Sequence, residues 1–187
     1  LDSWKIKFNG QNLTSNNTII TPIFDNLTGC LTIIDSSVKN LEISTKNLMC
    51  EDSLNFIRSS GSVKKVSIED SLSDGLDADF SQIKFEDIYV NKAKNDCADF
   101  SFGKYKIYNA ELVNCGDKAL SVGEKSYLQL NKIVAENSNV GVASKDSSTT
   151  ELENAYFKNV KTCVSAYKKK QEFDGGSIKI QNIECKN

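Results

Sequence analysis

Residues 52–56 read DSLNF, 74–78 DGLDA, 96–100 DCADF, 118–122 KALSV, 140–144 VGVAS and 162–166 TCVSA, six short stretches spaced 22 residues apart. Their third positions, Leu54, Leu76, Ala98, Leu120, Val142 and Val164, are all apolar. Their fifth positions, Phe56, Ala78, Phe100, Val122, Ser144 and Ala166, are apolar or small, and the fourth positions between them, Asn55, Asp77, Asp99, Ser121, Ala143 and Ser165, are polar or small. In-out-in alternation is the period of a β-strand. One strand rewritten at a fixed interval of this length is the mark of a repeat architecture. The expected fold is all-β, a right-handed parallel β-helix with coils of about 22 residues and about seven to eight coils. Equivalent positions then stack as ladders about 4.8 Å apart.

Outward from that column, Leu41, Val63, Phe85 and Ile107 keep the same step, and Leu130 and Leu152 continue it after one inserted residue near positions 124–126. A third apolar column, Ile68, Val90, Leu112 and Val134, closes a triangular section, with Asp87, Asn109, Lys132 and Asn154 at a corner where stacked amides can bond one another. The chain is expected to be one domain over 1–187. Residues 1–40 are irregular first coils or a cap, 41–167 regular coils, 168–176 (KKKQEFDGG) an inserted loop with solvated lysines, and 177–187 a last coil. It begins at Leu1 and has no amphipathic capping helix at either end, so it is expected to belong to a longer protein or to an oligomer that covers the ends.

Composition narrows the function classes. A net charge of −2 without a basic arm argues against nucleic acid as partner, and no apolar run reaches the length of a membrane span. Charge is uneven: residues 51–100 hold 11 acids and 6 bases, whereas 101–187 hold 10 and 13. Six cysteines fall as Cys30/Cys50, Cys97/Cys115 and Cys163/Cys185, each pair about one coil apart. Disulfides between neighbouring coils would fit an extracellular or cell-envelope protein. Buried thiols are the alternative, because Cys97 and Cys163 share the ladder of Ser53, Gly75, Ala119 and Gly141, where a small side chain is wanted. Three sequons, at Asn12, Asn16 and Asn26, lie in an Asn- and Thr-rich stretch that would produce them by chance.

The chemistry is concentrated in stacked carboxylates: Asp52, Asp74 and Asp96 in one column, Asp77 and Asp99 in the next, and Asp79 two residues further. Acids stacked this closely repel unless a cation, a lysine or a shared proton offsets the charge. Asp77 and Asp99, mid-strand and outward, are the candidate calcium ligands, because two stacked carboxylates can hold one ion between them. Asp74 and Asp96 precede their strands, where Asp also caps turns by accepting backbone N–H bonds.

The run SDGLDADF, NDCADFSFG, GDKALSVGEKS and NVGVASK resembles successive coils of right-handed parallel β-helix proteins of the carbohydrate-binding and sugar-hydrolase group. The nearest rhythm is that of polygalacturonase-type glycoside hydrolases, over residues 70–146. Those proteins carry Asn-Thr-Asp-Gly, then an Asp-Asp pair, Gly-His-Gly and Arg-x-Lys in successive coils. Asp74 matches the first aspartate, Asp96 the second of the pair, and Lys145 the lysine; Asn95, Lys118 and Ala143 stand for the other aspartate, the histidine and the arginine. The resemblance implies a polysaccharide ligand. The hydrolase reaction needs an acid and a second carboxylate, and the amide of Asn95 cannot donate the proton.

Two functions are therefore expected. One is an exported or cell-surface module that binds a polysaccharide, or serves as a rigid structural or adhesive element, through Asp77, Asp79, Asp99 and Lys145, with no cofactor required and calcium as the candidate ion. The other is a polysaccharide-active enzyme, a lyase, epimerase or divergent hydrolase, working through Asp74, Asp96, Asp77, Asp99, Lys118 and Lys145. Tyr167 is the one aromatic residue in phase with the outward columns, and no outward ladder repeats threonine as an ice-binding face would.

Overall fold

A computed structural model describes residues 1–14, 16–20 and 27–186, which form twelve strands in one parallel sheet wound on itself. One face consists of β2 (Gly29–Ile34), β4 (Asp52–Ile57), β6 (Asp74–Asp79), β8 (Ala98–Ser101) and the C-terminal ends of β9 (Lys104–Val122), β10 (Tyr127–Lys145) and β11 (Thr149–Tyr167). The other two faces are made by β1 (Lys5–Asn9), β3 (Ser37–Leu48), β5 (Ser60–Ser71), β7 (Gln82–Ala93), the first parts of β9 to β11, and β12 (Ser177–Lys186).

The register follows the sequence columns. Leu31, Leu54, Leu76, Ala98, Leu120 and Val142 are successive partners up to Val164, which spans about six turns. These side chains face inward, where Phe56, Phe85, Phe100 and Tyr105 pack edge to face or tilted, with centroids 4.8–5.9 Å apart. The inserted residue sits at the corner 123–126, where Glu124 and Lys125 both take positive φ and Ser126 N–H bonds the carbonyl of Gly123. That insertion also moves the third column: Ala135, not Val134, is the partner of Leu112 and is buried, while Val134 pairs with Glu111 and turns outward. Residues 1–40 contribute real coil strands, since β1 pairs with β3 and β2 with β4.

Two corners repeat a left-handed residue in every coil. One is the series Asp35, Arg58, Phe80 and Phe102; the other is Asn47, Asp70, Lys92, Asn114, Asn137 and Asn159. Asn tolerates this conformation better than other side chains with a Cβ. In the second series the amides also chain together: Asn114 donates to Asn91 at 2.9 Å, Asn137 to Asn114 at 2.9 Å, and Asn159 to Asn137 at 2.6 Å. The corner at Asp87 and Asn109 carries a shorter version, with Asn109 donating to Asp87 at 3.0 Å and Asn182 to Asn154 at 3.1 Å.

All three cysteine pairs are disulfides, Cys30–Cys50, Cys97–Cys115 and Cys163–Cys185, with Cα atoms 5.3, 5.4 and 6.3 Å apart. The small-residue ladder has its own cause: a Cβ on Gly75 would lie 2.5 Å from the Cys97 carbonyl, and one on Gly141 the same distance from that of Cys163. The loop over 168–176 is docked rather than loose. Asp146 accepts the backbone N–H groups of Lys169 and Lys170, Lys170 reaches Glu124 at 2.5 Å, and Phe173 meets the Phe102 ring edge to face. Of the sequons, Asn12 and Asn16 are exposed, and Asn26 lies outside the described residues.

Candidate functional site

Strands β4, β6 and β8 bring the carboxylates onto one face in the predicted ladders: Asp52 is the register partner of Asp74, and Asp77 lies between Asn55 and Asp99. The two columns do different work. In the first, Asp74 accepts the backbone N–H of Asp96 at 2.8 Å and the Asn95 amide at 2.7 Å. Asp96 in turn accepts the backbone N–H of Lys118 at 2.9 Å and its ammonium at 3.3 Å. Each aspartate thus fastens the next coil's backbone at the equivalent position, and Lys118 closes the series against Asp96 and Asp117. This is the capping role, exercised across coils instead of within one turn.

The second column is less exposed than outward alternation implies. Asn55 is 1% exposed, and Ser121 and Ala143 are fully covered. For Ser121 the reason lies in Lys145. Its side chain runs back over Gly123, where an added Cβ would sit 2.9 Å from Lys145 Cε, and places Nζ 2.8 Å from Ser121 Oγ and 3.4 Å from Asp99 Oδ2. A residue two coils away thereby neutralises Asp99, and Lys145 itself is almost wholly buried.

Asp77 is balanced otherwise. It accepts the Asn55 amide at 3.3 Å, and burial raises the carboxyls of both Asp77 and its neighbour Asp79. Burial, reinforced by the charges of Asp52, Asp79 and Asp99, holds the Asp77 carboxyl well above the usual range. Burial likewise lifts Asp52 to about 7, opposed by a bond from Thr28, and Asp74 to about 6, opposed by the Asp96 backbone N–H. Asp99 rises to about 6 through burial, with Lys145 pulling it back. Glu124 moves the other way despite its burial, because Lys170 and Ser101 both bond it.

Of the three ways to relieve stacked acids, the structure uses a lysine for Asp96 and Asp99, whereas the raised carboxyls of Asp77 and Asp79 point to protonation there. Among the described residues no group of three or more acidic, histidine or cysteine side chains converges as a metal shell. Two buried acceptors flanking Asp77, Asn55 Oδ1 and Asp99 Oδ1, receive no hydrogen bond among the described residues.

The candidate set therefore splits into two groups, Asp74–Asp96–Lys118 and Asp77–Asp99–Lys145, whose aspartates lie three residues apart along the strands, about 10 Å. Ala143, in the place matched to the family's arginine, is buried under its neighbours. Several contributors were not singled out from sequence: Asn55, Ser121, Gly123, Glu124 and, above all, Phe80 and Phe102. These two rings follow Asp79 and Ser101 directly, lie 56% and 39% exposed, and stack parallel with centroids 4.7 Å apart. Their 22-residue spacing was available as a signal, but they sit on the left-handed corner and not in a strand column.

Fold and surface together define a disulfide-stapled parallel β-solenoid with one acidic face. No known protein family, curated protein or solved structure matches this chain. The polygalacturonase likeness therefore supports the solenoid fold and nothing finer.

Proposed function

We propose that this solenoid is an extracellular or cell-envelope module that binds a polysaccharide along the face formed by β4, β6 and β8. The observation that carries it is the exposed Phe80–Phe102 stack, set directly beside Asp79 and Ser101. A sugar ring has an apolar C–H face and a rim of hydroxyls, so it is recognised by an aromatic platform next to planar polar groups. Asp77, Asp79, Asp99 and Lys145 supply both donors and acceptors there, because protonated carboxyls donate where ionised ones accept. The three disulfides support an oxidising compartment. Calcium fits this function only as a competitor of Lys145 for Asp99 and of the proton on Asp77, so glycan binding is expected without it. Electrophoresis through gels containing neutral polysaccharides tests the proposal: retardation is expected for the parent protein and not for Phe80→Ala with Phe102→Ala, and no retardation by any polymer in a broad panel would overturn it.

A second function is favoured by one specific feature, the raised carboxyls of Asp77 and Asp79 beside the buried Lys145–Asp99 pair. Raised carboxyls and a desolvated lysine are groups from which acid–base catalysis is built. A polysaccharide lyase or epimerase would use Asp77 and Asp99 against the sugar's charge and Lys145 for proton transfer, with Asp74, Asp96 and Lys118 as positioning residues. Release of unsaturated product or reducing ends from uronate polymers, lost in Lys145→Ala, distinguishes it from binding alone.

A further inference from the structure

Away from the acidic face, exposed cations on this solenoid are usually answered by an acid one coil away. Lys46 meets Glu69, Lys64 meets Glu42, Arg58 meets Asp35, Lys158 meets Glu136 and Lys179 meets Glu151. Two register pairs among the described residues set lysine against lysine. In the first, Lys158 opposite Lys186, each ammonium has its own carboxylate, Glu136 and Glu184. In the second, Lys84 on β7 opposite Lys106 on β9, neither has a carboxylate partner among the described residues, and Lys104, two residues before Lys106, has none either.

Like charges directly opposite each other on a sheet are destabilising. Here three of them line a shallow depression of about 680 Å³ together with Gln82, Tyr127 and Gln129. Gln82 is the register partner of Lys104, and Gln129 of Lys106, so amides flank the ammonium groups in the same ladders.

We propose that this depression is a second binding site, for an acidic polysaccharide whose carboxylate or sulfate groups lie between Lys84, Lys104 and Lys106. An anion there removes the repulsion between coils, the amide of Gln82 bonds sugar hydroxyls while that of Gln129 donates to Glu151 at 3.2 Å, and a ladder repeating at strand spacing suits a polymer with repeating charges. A single-stranded nucleic acid is disfavoured because its bases need free rings to stack on. Tyr108 lies under the Lys106 ammonium at 5.0 Å, and the Tyr127 hydroxyl is bonded to Glu151 at 2.6 Å. The site goes beyond the neutral-glycan function proposed above and lies on a different face, so either can fail alone.

The test is equilibrium binding of the full chain to heparin, polygalacturonate and dextran at low salt. Heparin or polygalacturonate binds and dextran does not compete for the site; the polymer preferred identifies the anion as sulfate or carboxylate. The triple variant Lys84→Gln, Lys104→Gln, Lys106→Gln binds about tenfold more weakly, as expected for losing two or three exposed charge contacts. The charge-matched variant Lys132→Gln, Lys158→Gln, Lys161→Gln keeps its affinity. Equal loss in both variants, no binding to either acidic polymer, or displacement of the glycan by single-stranded oligonucleotide at lower concentration would overturn the proposal. The substitutions are on exposed or half-buried surface and leave the core columns untouched, and circular dichroism of each variant checks that the fold persists.

Discussion

Lys145 Nζ stands 3.4 Å from Asp99 Oδ2 although the two residues belong to coils two turns apart, 46 positions in the chain. The contact exists because Gly123, on the coil between, has no side chain to obstruct the lysine's stem. Among the described residues it gives the acidic face its one fully buried lysine, and it makes the central coils interdependent.

Removing that ammonium leaves a largely buried carboxylate without its counter-charge. Lys145→Met is expected to lower stability at neutral pH by about 3 kcal/mol, with less loss at lower pH as Asp99 takes up a proton instead. The double variant with Asp99→Asn should recover much of it. Urea melts at pH 7 and pH 5 check both, and a thermal shift with millimolar calcium in Lys145→Met, absent in the parent, would reveal the pair Asp77 and Asp99 acting as cation ligands once freed.

Stability should fall as pH rises from about 4 to 7. Asp52, Asp74 and Asp99 have folded-state values of about 7, 6 and 6 against an ordinary 3.8, so between those limits the folded chain binds more protons than the unfolded one. Their contribution is complete below the ordinary value and is lost as pH passes through 6 to 7. Acids that ion pairs and hydrogen bonds hold low, such as Glu151 at about 2, act in the opposite direction at more acidic pH. A melting temperature highest in the mildly acidic range is expected, and Asp52→Asn with Asp77→Asn should flatten the decline toward neutrality.

The disulfides close loops of 20, 18 and 22 residues, for which chain entropy gives about 3 kcal/mol each. Thiol titration in denaturant is expected to find no free cysteine before reduction and six after it. Cys97→Ala with Cys115→Ala should cost most in cooperativity, since this pair is buried in the middle of the stack.

Asn137 occupies a left-handed corner and links Asn114 to Asn159. Asn137→Ala is expected to cost about 1–2 kcal/mol, because alanine tolerates the left-handed backbone less well than asparagine and because the amide chain is broken. Asn137→Gly should recover the conformational part alone, and comparing the two denaturation midpoints separates the terms.

Phe80→Ala with Phe102→Ala should leave the melting temperature within a few degrees of the parent, since both rings are exposed, while abolishing retardation by a neutral glycan. A large drop in stability instead would make the stack a structural clasp for the corner and for Phe173 of the docked loop.

The 22-residue columns from Leu54 to Val164 were legible because inward positions of a stacked strand must be apolar in every coil, whatever else varies. The same regularity made the Asp77–Asp99 ladder and the cysteine spacings visible. Val134 was misplaced because one inserted residue shifts every later position of its coil, and the period alone does not say where a corner absorbs it.

What the chain decided by itself is the solenoid: alternation of two residues, repeated at one interval, admits stacking of equivalent positions and little else. What only the tertiary structure decided is how each stacked charge is offset. A long side chain such as Lys145 can cross two coils in directions the strand period does not encode, and burial, which sets whether an aspartate holds its proton, depends on neighbours contributed from distant turns.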